Sequence, residues 1–544
     1  MQQSIQLHGK RMEALMFESI IRYPDLVGIE TEKEEHLLPG GAAVTLEDVR
    51  VTLALEQQCI RVQASAKASG LSWLRLRWNC AMPEGASYLG GSFERNYGQM
   101  GWEYLRAERF MPWYFLASLG AETRGYGVKV RPGGMCFWQC DDLGVTLWID
   151  LRCGTAPVQL DGRTLDCAQV VCRGYEGCSS FEAAQQFCHV MCTDSLLPPY
   201  PVYGSNNWYY AYGHSSEKEI LEDARVISEL TEGLQNRPFM VVDSCWQRQC
   251  VTGDPCDSCA GGPNDRGNAR FPDMPGLAAR LKQQGLHPGI WMRFLENADQ
   301  SLPAHWRRSD KPRHLDPSVP EVLGYIANEV RRARDWGYEL LKYDFSTADI
   351  LNVWGKDIVC SCTEGSWSFH DRSRTTAEII VNFYRTIREA APELILIGCN
   401  CIGHLGAGLM HLYRTGDDTS GQFWERTRRM GVNTLAFRLP EDGAFYAADA
   451  DCVGIMGPVS WEMNRQWAHL LAHSGTPFFT SIKPGILTEA EKEELREDFR
   501  LASRQEARTV PLDWMTNTAP RRWLQDGSEV CYCWYEPQGL PRTF

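Results

Sequence analysis

Beyond Pro201 the chain settles into a rhythm of short apolar runs alternating with amphipathic stretches of helical length. The runs are PVYGSN, FMVVD, HPGIWMRF, YELLKYD, LILIGC, HLYRTG, NTLAFR and TPFFTSI. Most are separated by segments such as SEKEILEDARVISEL, PGLAARLKQQG, PEVLGYIANEVRRARDWG and TAEIIVNFYRTIREA, several of which close on Gly as helices do. Strand–helix alternation repeated eight times over about 280 residues predicts a (β/α)8 barrel, placed here at residues 200–483.

With 544 residues the chain is too long for one ordinary domain, and a multidomain α/β protein is expected. Before the barrel, AAVTLEDVRVTLAL, CIRVQASA, SWLRLRWNCAM and GVTLWIDLRC alternate apolar and polar residues as half-buried strands do, so residues 1–195 are expected to form an N-terminal β-sandwich. The proline cluster LLPPYPVYG reads as the linker. Residues 485–544, which contain SEVCYCWYEP, read as a short C-terminal β unit.

Composition narrows the partners. A net charge of -14 argues against nucleic acid or an anionic membrane. No run of about 18 apolar residues suggests a membrane span, and the opening stretch lacks the apolar core of a secretory signal. The 21 cysteines, an odd number in a chain without a visible leader, favour reduced thiols and a cytoplasmic setting.

In a barrel of this kind, residues at the C-terminal strand ends share one rim. On the fourth strand, Lys342 and Asp344 are two residues apart and therefore point the same way. Burying such charges costs several kcal/mol unless they are paired, which suits a site better than a core. The second strand ends in Asp243, with Ser244 and Trp246 just beyond, and the third ends in Trp291 and Arg293. The sixth runs into YRTGDDTS, carrying Arg414, Asp417 and Asp418, and YAADADCVG supplies Asp449 and Asp451.

Six segments in order resemble glycoside hydrolase family 36 and, more loosely, family 27 of the same α-galactosidase clan. LLKYDF is similar to the clan's nucleophile motif, and FMVVDSCWQ to the second-strand Asp-Asp-Gly-Trp or Asp-Asp-Cys-Trp motif. NARFPDMPGLAARLKQQGLHPGIW and HLDPSVPEVLGYIANEVRRARDWGYELLKYDF resemble the segments leading into the third and fourth strands. RTGDDTS resembles the acid/base motif and DADCVG the Asp-Pro-Asp-Met segment after the seventh strand.

The resemblance implies a retaining exo-α-glycosidase that hydrolyses terminal α-galactosides and uses no cofactor or metal. Asp344 would be the nucleophile. The family 36 pattern puts the acid/base at Asp417, which is the assignment taken from the sequence, whereas the family 27 arginine four residues before its acid, counted from Arg414, points to the alternative, Asp418. Substrate contacts would come from Asp243, Ser244, Trp246, Trp291, Arg293, Lys342, Arg414 and Asp451, and from Cys399 and Asn400 after the fifth strand. The partner would be an α-linked oligosaccharide or glycoconjugate, and the resemblance also implies a homo-oligomer.

Two departures bear on specificity. Ser244 stands where the clan has a second aspartate, and the loop GCNCIGHLGAG is built of small residues, with room for an N-acetyl group. α-N-Acetylgalactosaminide hydrolysis is therefore an alternative, as are sugar transfer and a catalytically silent carbohydrate-binding role. Cys245, Cys250, Cys256 and Cys259 fall within fifteen residues, but without a second C-x2-C they read as thiols rather than a zinc site.

Overall fold

The computed structural model describes residues 17–31, 34–250, 261–353, 355, 358 and 366–540. Its centre is a single parallel row of nine strands: Tyr203–Asn206, Phe239–Val242, His287–Met292, Leu340–Tyr343, Ile395–Gly398, Leu412–Arg414, Ala447–Asp449, Cys452–Ile455 and Phe478–Ile482. The two ends of the row, Ala447–Asp449 and Cys452–Ile455, are separated along the chain by only Ala450 and Asp451. The row therefore returns on itself as a TIM-like barrel. In effect the seventh staple of the barrel is one strand in two pieces, the first paired to the sixth strand and the second to the last.

Burial on both faces explains why the strands are continuous apolar runs. Phe239–Val242 and Ile395–Gly398 are buried at every position. The helices outside have one apolar stripe each and strong start signals. Thr375 and Glu378 form a reciprocal capping box at the start of Thr376–Ala390, which buries Ile380, Phe383, Tyr384 and Ile387. Thr488 and Glu491 do the same for Glu489–Ala502, which packs on Trp461–Ser474.

One expected strand is a helix. NTLAFR was expected as the seventh strand, but Thr434–Arg438 is helical and continues a π-helical stretch, Arg428–Asn433. Its apolar content reflects cover from two sides. Phe437 stacks on Trp514 at 5.5 Å, and Asn433 donates to the carbonyls of Met100 at 2.8 Å and Thr518 at 2.6 Å. A short apolar run buried all round carries no period that separates strand from helix. The true seventh strand is the stretch that was expected to follow it.

The N-terminal region holds two antiparallel sheets, of six and seven strands. They meet through Phe115 and Trp138, edge to face at 5.9 Å. This region is seated on the barrel: Trp113 stacks on His404 at 4.9 Å, and Gly154 donates its N–H to Thr376 Oγ1 at 2.9 Å. A three-stranded sheet, Thr509–Pro511, Arg522–Gln525 and Ser528–Cys531, follows the last barrel helix. Among the described residues, no helix is long and apolar enough to cross a membrane.

The loop after the sixth strand is locked to the second piece of the seventh at Gly421. This residue has φ +68°, and a Cβ there would lie 2.0 Å from the Gly454 carbonyl oxygen. Gly421→Ala is expected to lower stability by about 1–3 kcal/mol through backbone strain alone, measured as a fall in denaturation midpoint with the slope unchanged.

Candidate active site

Asp344 follows the fourth strand directly, and its carboxylate is fixed at both oxygens. Oδ2 accepts from Trp291 Nε1 at 3.0 Å, while Oδ1 accepts from the Phe345 N–H at 2.6 Å and from Asn400 Nδ2 at 2.5 Å. These donors come from the ends of the third, fourth and fifth strands, so three neighbouring strands orient one carboxylate. The residue is only 9% exposed.

Lys342, two residues earlier, spans to the second strand and donates to Asp243 Oδ2 at 2.8 Å. Burial pushes its pKa down, but Asp243, with Cys399 and Asp344, outweighs that and holds it above the ordinary lysine range. It is therefore charged. Asp243 Oδ1 also accepts from the Ser244 N–H at 2.8 Å, which leaves both groups aligned along the cavity wall.

The loop after the sixth strand presents its two aspartates differently. Asp417 is gripped at both oxygens, Oδ1 by Arg95 at 2.8 Å and Oδ2 by Arg426 at 2.6 Å. Asp418 pairs with Arg414 at 2.8 Å and lies 3.6 Å from Arg95. Its side chain is 36% exposed, against 14% for Asp417. Burial works to raise the Asp418 pKa, but Arg414, Arg95, Lys342 and Arg426 together hold it well below the usual carboxylate range.

A cavity of about 80 Å³ gathers these groups. Of the residues expected in the site, Asp243, Ser244, Trp291, Lys342, Asp344, Cys399, Asn400 and Asp418 line it. Asp417 does not line it. Trp246 is fully buried, donates Nε1 to the Trp291 carbonyl at 2.8 Å and packs against Trp336, so it is a core indole under the site rather than a sugar platform. Arg293 is engaged elsewhere, with Asp349 and Glu296, both at 2.6 Å.

Arg414 and Asp451 form a layer behind the wall. Asp451 Oδ2 takes Arg414 at 2.6 Å, the Thr419 N–H at 2.7 Å and the Tyr209 hydroxyl. With Lys342 and Asp449 they line a second cavity of about 20 Å³.

Sequence reasoning missed four wall residues besides Phe345: Asn206, Trp208 and Tyr209 at the end of the first strand and just beyond it, and Arg95 from the N-terminal region. Asn206 closes the PVYGSN run and Trp208 and Tyr209 come just beyond it, so the strand-end rule reaches them. Nothing local in the sequence marks Arg95.

The backbone turns sharply at these strand ends. Cys245, Phe345, Asn400 and Asp451, which follow the second, fourth, fifth and seventh strands, all have left-handed φ, between +47° and +78°. Such strain on non-glycine residues concentrates at functional sites. Among the described residues, no cluster of His, Cys, Asp or Glu could hold a metal ion. Cys256 and Cys259, two of the four cysteines weighed as zinc ligands, lie outside the described residues.

No family model and no curated protein matches the chain. Solved structures do. An α-galactosidase from Thermus thermophilus, in complex with p-nitrophenyl α-D-galactopyranoside, is 19% identical with a TM-score of 0.60, over 90% of this chain and 99% of that one. A variant family 36 α-galactosidase from Geobacillus stearothermophilus, bound to 1-deoxygalactonojirimycin, is 15% identical with a TM-score of 0.60, over 93% and 76%. The α-galactosidase from Lactobacillus brevis is 12% identical with a TM-score of 0.54, over 91% and 72%. The chain has the fold of family 36 α-galactosidases.

Beside the cavity, Glu94 is fully buried and accepts from the Gly355 N–H at 2.6 Å. Burial pushes its pKa up to about 7, from 4.5. A carboxyl raised on folding keeps its proton in the native state while the unfolded chain loses it, so native stability falls as pH rises from 4.5 through about 7. The cost is on the order of 3 kcal/mol. Glu94→Gln is expected to flatten that loss in denaturation curves between about pH 5 and pH 8; equal losses in both proteins would contradict the assignment.

Proposed function

We propose that the protein is a retaining exo-α-glycosidase that hydrolyses terminal α-galactosides. The observation that carries this is the meeting of Asp344 and Asp418 on one small cavity, whose wall also holds the Lys342–Asp243 pair. The likeness of fold to proteins named α-galactosidases supports it.

In the first step Asp344 attacks C1 of the galactosyl group from the β face, and the C1–O bond to the leaving group breaks. Asp418 gives its proton to the departing oxygen. In the second step Asp418 takes a proton from water, which attacks C1 and releases Asp344. Chemistry of this kind calls for carboxyls about 5–5.5 Å apart. Lys342, Asp243 and Ser244 hydrogen-bond sugar hydroxyls. Trp291, whose indole N–H holds Asp344, keeps the attacking oxygen aimed.

The arginines around Asp418 keep it ionised in the empty site, with no proton to donate. Protonation therefore belongs to the occupied site, where sugar hydroxyls compete for Lys342, which lines the cavity. Asp417, held at both oxygens by arginines, has no such freedom. The natural substrate is an α-linked oligosaccharide with a terminal galactose.

The test is turnover of p-nitrophenyl α-galactoside and its α-N-acetylgalactosaminide counterpart, with proton NMR of the sugar released. Galactoside cleavage with the α-anomer appearing first is expected, and Asp344→Asn should lower kcat by about 10³-fold or more. Asp418→Asn should cost about 10²–10⁴-fold on substrates with poor leaving groups, and Asp417→Asn much less. The β-anomer first would overturn retention, and the reverse ranking of the two aspartates would return the acid/base role to Asp417. Preference for the acetamido sugar would move the specificity to the alternative that the small residues of the fifth-strand loop suggest.

A further inference from the structure

The N-terminal region reaches the cavity through one segment, Glu94 to Tyr97. Asn96 lies beside Gly416 as a parallel β-bridge. Its N–H donates to the Thr415 carbonyl at 2.7 Å, and its own carbonyl accepts from the Asp417 N–H at 3.0 Å. The loop that carries both aspartates is thereby paired, backbone to backbone, with a segment more than three hundred residues earlier in the chain.

Arg95 is the side chain this pairing delivers. It is buried and lines the cavity. One guanidinium nitrogen contacts Asp417 Oδ1 at 2.8 Å and the other stands 3.6 Å from Asp418 Oδ1. Its guanidinium sits 5.7 Å from the Tyr97 ring centroid, and the Tyr97 hydroxyl donates to Glu94 at 3.3 Å. With Arg426 on the far oxygen, Arg95 completes a clamp on Asp417.

Two adjacent aspartates on one loop pose a choice. They share one turn of backbone, with Asp417 at a bend, and both reach toward the same guanidinium, so anchoring one carboxylate sets where the other one goes. We propose that Arg95 is a positioning residue for acid/base catalysis: by anchoring Asp417 it turns Asp418 toward the leaving group, so that a side chain outside the barrel selects the proton donor. This inference rests on the function proposed above.

The clamp predicts which substrates suffer when it is lost. A nitrophenolate leaves without needing a proton, whereas a sugar alkoxide does not, so a misplaced acid is felt mainly on the second kind of leaving group. The experiment compares kcat/KM of the full-length protein and its Arg95→Met and Arg95→Lys variants on raffinose and on p-nitrophenyl α-galactoside. Arg95→Met is expected to lose about 10²-fold on raffinose, the scale of a small misplacement of a catalytic group, and about threefold or less on the aryl galactoside. Arg95→Lys keeps the charge but not the two-nitrogen bridge, and should recover part of the raffinose activity. A melting temperature close to the parent's shows that the variants fold.

Equal losses on both substrates, or no loss on either, would overturn the inference while the parent's activity leaves the proposed function standing. If the parent turns over neither substrate, the function falls, and the inference with it.

Discussion

A carboxylate at the mouth of a closed barrel is largely cut off from water, and its charge has to be met by neighbours. That demand organises the upper face of this molecule. Asp243 is met by Lys342 from two strands away, Asp451 by Arg414, Asp417 by Arg95 and Arg426, and Asp344 by neutral donors on three strand ends. The different partners have different consequences. Asp417 and Asp451 are each held by arginines and stay out of the cavity lining, while Asp243, Asp344 and Asp418 line it. Differences in pairing, rather than in residue type, separate the carboxylates that line the cavity from those set behind it.

The same logic accounts for the layers behind the wall. Arg414 touches Asp418, Asp451 and the Tyr209 hydroxyl, and Asp451 in turn takes the Thr419 N–H. The loop after the sixth strand is thus tied to the first and seventh strands through one guanidinium. The break in the seventh strand at Ala450 and Asp451 serves this arrangement: the left-handed turn at Asp451 lets its carboxylate reach inward where a regular strand would continue. Opposite it, the N-terminal region closes the loop from above through Asn96 and Arg95.

Much of this was legible in the chain. The period of the apolar runs led to the parallel barrel, and most residues at strand ends were found because a barrel puts strand ends on one rim. Lys342, Asp344, Asp243, Trp291 and Asn400 all line the cavity. The misreadings share one physical cause. NTLAFR is apolar because it is covered on two sides, Trp246 because it lies beneath the site, and Arg293 is polar because Asp349 and Glu296 face it. A sequence shows that a residue will be buried or charged. It does not show what will cover or pair it.

The sequence by itself determined the parallel barrel, the rim that carries the cavity and the placing of Asp344 beside Lys342, because these follow from local period and from spacing within a single strand. Only the tertiary structure decided between Asp417 and Asp418 as the carboxylate that faces the cavity. That choice depends on Arg95 and Arg426, which reach the loop from opposite directions in space, and ion pairs between distant segments leave no periodic trace along the chain.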